Sequence, residues 1–136
     1  MKIEEIVALS PVVPVLNFHS AEEAVTVSRA LVEAGISILE ITLRHPSALE
    51  AIEAVAKAIP DACVGAGTII NPELAQQAYD AGAKFGVSPG LTEKLAVKIK
   101  DMNWAFLPGT ATLSEAMAAR EYGFNHLKFF PASASG

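Results

Sequence analysis

Strand-like segments recur along this chain with helix-like segments between them, and their ends fall near Arg44, Thr68, Ser88, Gly109 and Phe130, separated by 24, 20, 21 and 21 residues. A repeat that short holds one strand, one helix and two brief loops. That is the economy of a parallel βα barrel rather than of a doubly wound sheet with elaborate loops. Strands are expected over residues 12–16, 38–43, 63–66, 85–88, 104–107 and 126–129. An eight-unit barrel at this spacing needs roughly 180 to 210 residues, and the chain has 136. The expected fold is therefore α/β: a (β/α)8 barrel of the TIM type of which about six units are carried, C-terminally truncated, with residues 1–136 forming a single partial barrel domain. Without two further units such an arc leaves strand edges unpaired, so it is expected to be less cooperative than an extended form.

Local signals support the alternation. Ser20-x-x-Glu23, Ser47-x-x-Glu50 and Thr112-x-x-Glu115 have the capping-box spacing, and Asn71-Pro72 supplies a cap acceptor followed by a residue that lacks an N–H. Gly35, Gly82 and Gly123 follow helix-like runs and suit the left-handed stop.

Composition narrows the function classes. Ten Lys and Arg against fifteen Asp and Glu leave a net charge of −5, and no basic cluster is present to hold a phosphate backbone, so no nucleic-acid partner is expected. No stretch is apolar for long enough to predict a membrane partner. The single Cys63 allows neither an internal disulfide nor a thiolate metal cluster, and the first residues lack the basic-then-apolar pattern of a signal peptide; a cytoplasmic setting is expected. Cys63 is expected to fill space between strand and helix.

Strand alternation singles out the candidate site. In ILEITLRH, Glu40, Thr42 and Arg44 share one face while Leu39, Ile41 and Leu43 share the other. If the apolar set packs against helices, a carboxylate, a hydroxyl and a guanidinium point into the barrel, where charge must be paired or used. Arg44 suits a planar substrate carboxylate; an internal Glu40–Arg44 ion pair is the structural alternative. In HLKFFP, Lys128 points inward with Phe129 and Phe130 as neighbours. An inward lysine in apolar surroundings is under pressure to lose its proton, and a neutral amine attacks a ketone to form a Schiff base. Its alternative is an ammonium that snorkels to the rim or pairs with an acid. Glu40 could then move the protons that this chemistry requires.

Gly65 and Gly67 of VGAGT permit close backbone approach, Thr68 can donate at the strand end, and Pro89 of SPG stands at the next rim position. Gly65-Ala-Gly67 is followed by Ile70 where a dinucleotide fingerprint needs glycine, so no cofactor is expected. His19, His45 and His126 show no metal-ligand spacing, so no metal is expected; the first two could frame the mouth and the third is read as an interior histidine.

Taken together, PVVPV, EITLR, VGAGT, SPGLT, LPGTAT and LKFFPA, in that order, resemble the 2-keto-3-deoxy-6-phosphogluconate (KDPG) aldolase and 4-hydroxy-2-oxoglutarate (KHG) aldolase family. The resemblance implies a metal-independent class I aldolase. Lys128 would form a Schiff base with a 2-oxo acid and Glu40 would move protons. Arg44 and Thr68 would bind the carboxylate, and Pro89 would line the site. It implies cleavage to pyruvate plus glyceraldehyde 3-phosphate or glyoxylate, and a homotrimer at full length. Two other readings stay open: a non-covalent sugar-phosphate isomerase or epimerase with Glu40 as base, and a non-catalytic barrel fragment serving as an assembly module.

Overall fold

Most of the expected elements form, and each can be traced to its local chemistry. The computed structural model describes residues 1–135. In chain order these comprise α1 (Ile3–Val7), β1 (Val15–Leu16), α2 (Ala21–Glu33), β2 (Ile38–Thr42), α3 (Ala48–Ala58), β3 (Cys63–Gly67), α4 (Pro72–Asp80), β4 (Phe85–Val87), α5 (Glu93–Met102), β5 (Ala105–Leu107), β6 (Gly109–Thr110), α6 (Leu113–Glu121), β7 (Lys128–Phe129) and α7 (Ala132–Ser135). Strands β1 to β5 form one parallel sheet in sequence order, and β6 pairs in parallel with β7.

The helix starts use the caps read from sequence, with one exception. Ser20 Oγ accepts from the Glu23 N–H at 3.1 Å, and Asn71 Oδ1 accepts from Leu74 at 2.8 Å. Thr112 and Glu115 make a reciprocal box. The N–H groups of Ala111 and Thr112 hold the Glu115 carboxyl below its ordinary range. Ser47 departs from expectation. Its hydroxyl donates instead to the Phe18 carbonyl at 3.2 Å and contacts His45 Nδ1 at 2.8 Å, tying the first two rim loops together. Gly35, Gly82 and Gly123 take φ of +92°, +96° and +84°, the left-handed stop that any Cβ would strain.

Three elements differ from the sequence reading. The first strand shrinks to Val15–Leu16, while the residues before it supply α1, whose one buried side chain, Ile6, is fully enclosed. The sixth begins at Lys128 rather than at 126. The fifth forms at Ala105–Leu107 and continues the ladder from β4, but beyond Pro108, which has no N–H to donate, an additional short strand, β6, pairs with β7.

Alternation along the strands creates two cores. Leu39, Ile41, Val64 and Ala66 pack against Ile52, Val55, Leu95 and Ile99 in the layer between sheet and helices. On the inner face Ile38, Cys63, Phe85 and Val87 gather around Ile6 of α1, which seals the end where the strands begin. Cys63 therefore lies inside the arc, not between strand and helix, because it shares the phase of Gly65 and Gly67. Burial raises its thiol above the ordinary value. Replacing Ile6 by Ala is expected to cost about 2–5 kcal/mol by emptying this seal. Urea unfolding would check it, and a loss under 1 kcal/mol would mean that α1 is dispensable for the inner core.

Among the described residues no helix is long and apolar enough to cross a membrane.

Candidate active site

Glu40, the middle residue of β2, and Lys128, the first of β7, meet across the inner face, with Lys128 Nζ 3.6 Å from Glu40 Oε1. The Glu40 side chain is 7% exposed and that of Lys128 28%, so the carboxylate sits deep while the amine stays open to the mouth. Burial pushes the Glu40 carboxyl above its ordinary 4.5; the Lys128 ammonium and, more weakly, the Arg44 guanidinium pull it back without overcoming burial. The Phe130 ring lies under the amine, 5.1 Å from centroid to Nζ. Phe129, which alternation puts on the other face, is exposed, so Phe130 is the aromatic ring against the amine.

The remaining residues of this group take different positions. Thr42 is buried, but its hydroxyl donates to the Leu16 carbonyl at 3.2 Å, a tie between β2 and the end of β1. Arg44 is exposed in the turn beyond Thr42, where strand alternation no longer governs its direction. Among the described residues it makes no ion pair with Glu40; Lys128 holds that place. Thr68 follows β3 with φ +63°, a left-handed conformation that costs a β-branched residue dearly and is found where structure or function imposes it. Pro89 is exposed beyond β4 and lines, with Gly109, Thr110, Tyr122 and Phe130, a hollow of about 310 Å³ that neither Glu40 nor Lys128 lines.

The family model described as "KDPG and KHG aldolase" matches residues 3–136. The chain belongs to the KDPG and KHG aldolase family. It is 45% identical over 133 residues to the KHG/KDPG aldolase of Escherichia coli K12, a match that covers 98% of this chain and 62% of that protein. Among solved structures, the KDPG aldolase of Zymomonas mobilis ZM4, crystallised with 3-phosphoglycerate, matches with a TM-score of 0.94 and 42% identity, covering 98% of this chain and 64% of the other. The KDPG aldolase of Legionella pneumophila, with pyruvate captured at low pH as a covalent carbinolamine, matches at 0.96 and 40%, covering all of this chain and 66% of that one. The chain thus spans less than two thirds of the length of its curated relatives in this aldolase family, and over that span it has their α/β fold, a partial (β/α) barrel.

Two features of the site escaped the sequence reading. Gly65 and Gly67 were expected to admit a ligand to the backbone; instead the space over Gly65 holds the Phe85 ring and that over Gly67 holds the Glu40 carboxylate. The second is the pairing of His19 with His45, edge to face at 4.9 Å between centroids, which puts the two rings together at the first rim loops. His126 sits at the opposite end, with Nδ1 3.9 Å from the Glu4 carboxylate of α1. Among the described residues no group of three or more His, Cys, Asp or Glu is placed to hold a metal ion.

Proposed function

We propose that this protein is a class I aldolase that forms and breaks a carbon–carbon bond next to a pyruvate unit through a Schiff base on Lys128. The observation that carries the reading is the 3.6 Å approach of Glu40 and Lys128 on the inner face beyond the apolar cluster of Ile38, Phe85 and Val87, with the amine open to the mouth. The covalent carbinolamine in the Legionella relative supports it.

In this mechanism the Lys128 amine, having passed its extra proton to the neighbouring carboxylate, attacks the 2-oxo carbon; the carbonyl π bond breaks and the oxygen takes up a proton. Glu40 gives its proton to that oxygen, which leaves the carbinolamine as water, so that a protonated imine forms and Glu40 is again a carboxylate. For a 4-hydroxy substrate Glu40 then accepts the hydroxyl proton as the C3–C4 bond breaks, which releases the aldehyde and leaves an enamine. A proton returned from Glu40 to C3 and hydrolysis of the imine release pyruvate and restore both groups. A carboxyl raised by burial suits this two-way traffic, since it holds a proton at higher pH than an exposed glutamate does.

Arg44 and Thr68 are assigned to the substrate carboxylate and Pro89 to the wall. The substrate class is a small 2-oxo acid, KDPG or 4-hydroxy-2-oxoglutarate, and the same reading includes a homotrimeric full-length protein in the cytoplasm. Borohydride added with pyruvate should leave a stable adduct on Lys128; an unmodified Lys128 beside fully folded protein would reject the covalent mechanism.

The assignment of Thr68 has its own test. Thr68→Gly removes a left-handed residue that costs about 1–2 kcal/mol, offset by about 0.5–1 kcal/mol of added chain entropy. The melting temperature should hold or rise, while KM for pyruvate rises about 10-fold or more through loss of a hydrogen bond to a carboxylate. An unchanged KM would remove Thr68 from the binding site.

A further inference from the structure

We propose that Gly67 is a positioning residue: the side chain it lacks is the space in which the Glu40 carboxylate sits. The inference rests on Glu40 acting as the proton carrier proposed above. In the β2–β3 ladder Glu40 stands opposite Gly65, and Thr42 stands opposite Gly67. The space directly beside Glu40 is filled, because the Phe85 ring occupies the position of a Gly65 Cβ. The glutamate therefore leans one step towards the strand ends and lies on bare backbone at Gly67. A Cβ at Gly67 would overlap Oε1 of Glu40 and come within 2.8 Å of its Cδ and 2.9 Å of its Cγ.

The kind of atom struck decides what the substitution does. At Gly109 a Cβ would run into backbone, the Ser88 carbonyl oxygen at 2.6 Å, which cannot give way without moving a loop. At Gly67 the nearest atoms belong to the far end of one flexible side chain, and Gly67 is not among the glycines with positive φ. Alanine can occupy position 67 with the fold intact if Glu40 swings off its seat. The carboxylate then leaves the position 3.6 Å from Lys128. A displacement of about 1 Å in a catalytic group is enough for losses near 10²-fold.

Exchange of the pyruvate methyl hydrogens with D2O, followed by NMR, tests the seat, because it reads proton removal from the imine. Gly67→Ala should slow exchange about 10- to 10³-fold with its melting temperature within a few degrees of the parent. The double variant Gly67→Ala with Glu40→Gln should be no slower than Glu40→Gln alone, since both act through one carboxylate. A normal exchange rate in Gly67→Ala beside a crippled Glu40→Gln, or losses that multiply in the double variant, would overturn the seat and leave the aldolase reading standing. Normal exchange in Glu40→Gln would overturn both. If Gly67→Ala loses its cooperative melt, adding Glu40→Ala, which deletes the obstructing atoms, should restore it; failure to do so would also overturn the seat.

Discussion

Lys128→Arg, treated with pyruvate and borohydride, should yield no adduct at position 128, whereas the parent protein gains the mass of pyruvic acid less one oxygen on the peptide that carries Lys128. Arginine keeps a cation near Glu40 and over the Phe130 ring, so the electrostatics that hold the inner face together survive. What it cannot do is shed its proton and attack a carbonyl. Turnover should fall by about 10⁴-fold or more, the scale seen when a covalent nucleophile is removed, while the melting temperature moves little. An adduct elsewhere on the chain with turnover retained would assign the chemistry to another amine.

Glu40→Gln should lower turnover and pyruvate proton exchange about 10²- to 10⁴-fold, the contribution of a general acid and base. Its effect on stability should have the opposite sign from that of a broken salt bridge. The Glu40 carboxyl is raised above 4.5 in the folded protein because burial outweighs the attraction of Lys128 and Arg44. Its favourable contribution is fully present below the unfolded value, where it is protonated in both states, and is lost as pH rises through the raised folded value. The glutamine variant escapes that loss. Its Lys128 ammonium keeps access to water through the 28% of the side chain that is exposed. The variant should therefore melt at or above the parent temperature at pH 7, with the difference shrinking towards pH 4. A variant several degrees less stable at pH 7 than the parent would make Glu40 chiefly a structural partner of Lys128.

The parts legible in the sequence were those governed by nearest neighbours along the chain. Two-residue alternation was enough to bring Glu40 and Lys128 to one interior, since each obeys its own strand, and the glycine stops at Gly35, Gly82 and Gly123 were readable for the same reason. Cys63 obeys the same parity as Gly65 and Gly67, and its phase along β3, not its small apolar character, decides that it faces inward. The rest depended on distant partners. Ile6 makes sense of α1 only once Ile38, Phe85 and Val87 surround it. Ser47 abandons its expected capping bond for a carbonyl on a different loop. Arg44, in the turn beyond β2, is near enough to lower the Glu40 carboxyl, yet the ion-pair alternative gives way to Lys128, a partner from a distant strand.

The stagger of the strands gives the site one more property. Following the ladders from Glu40 leads to Gly65, Phe85 and Ala105, yet Lys128 pairs with Gly109, two inward-facing positions further along the same rail. Unrolled onto a plane, that register would leave the two residues about 19 Å apart across the strands and about 13 Å apart along them. They meet at 3.6 Å because the sheet curls and its strands tilt, as closure of a barrel demands. The distance between acid and amine is thus a gauge of curvature summed over the whole wall. A substitution remote from both groups that lets the wall relax by a few degrees per strand would part them while every ladder stayed intact, so chemistry would fail before folding does.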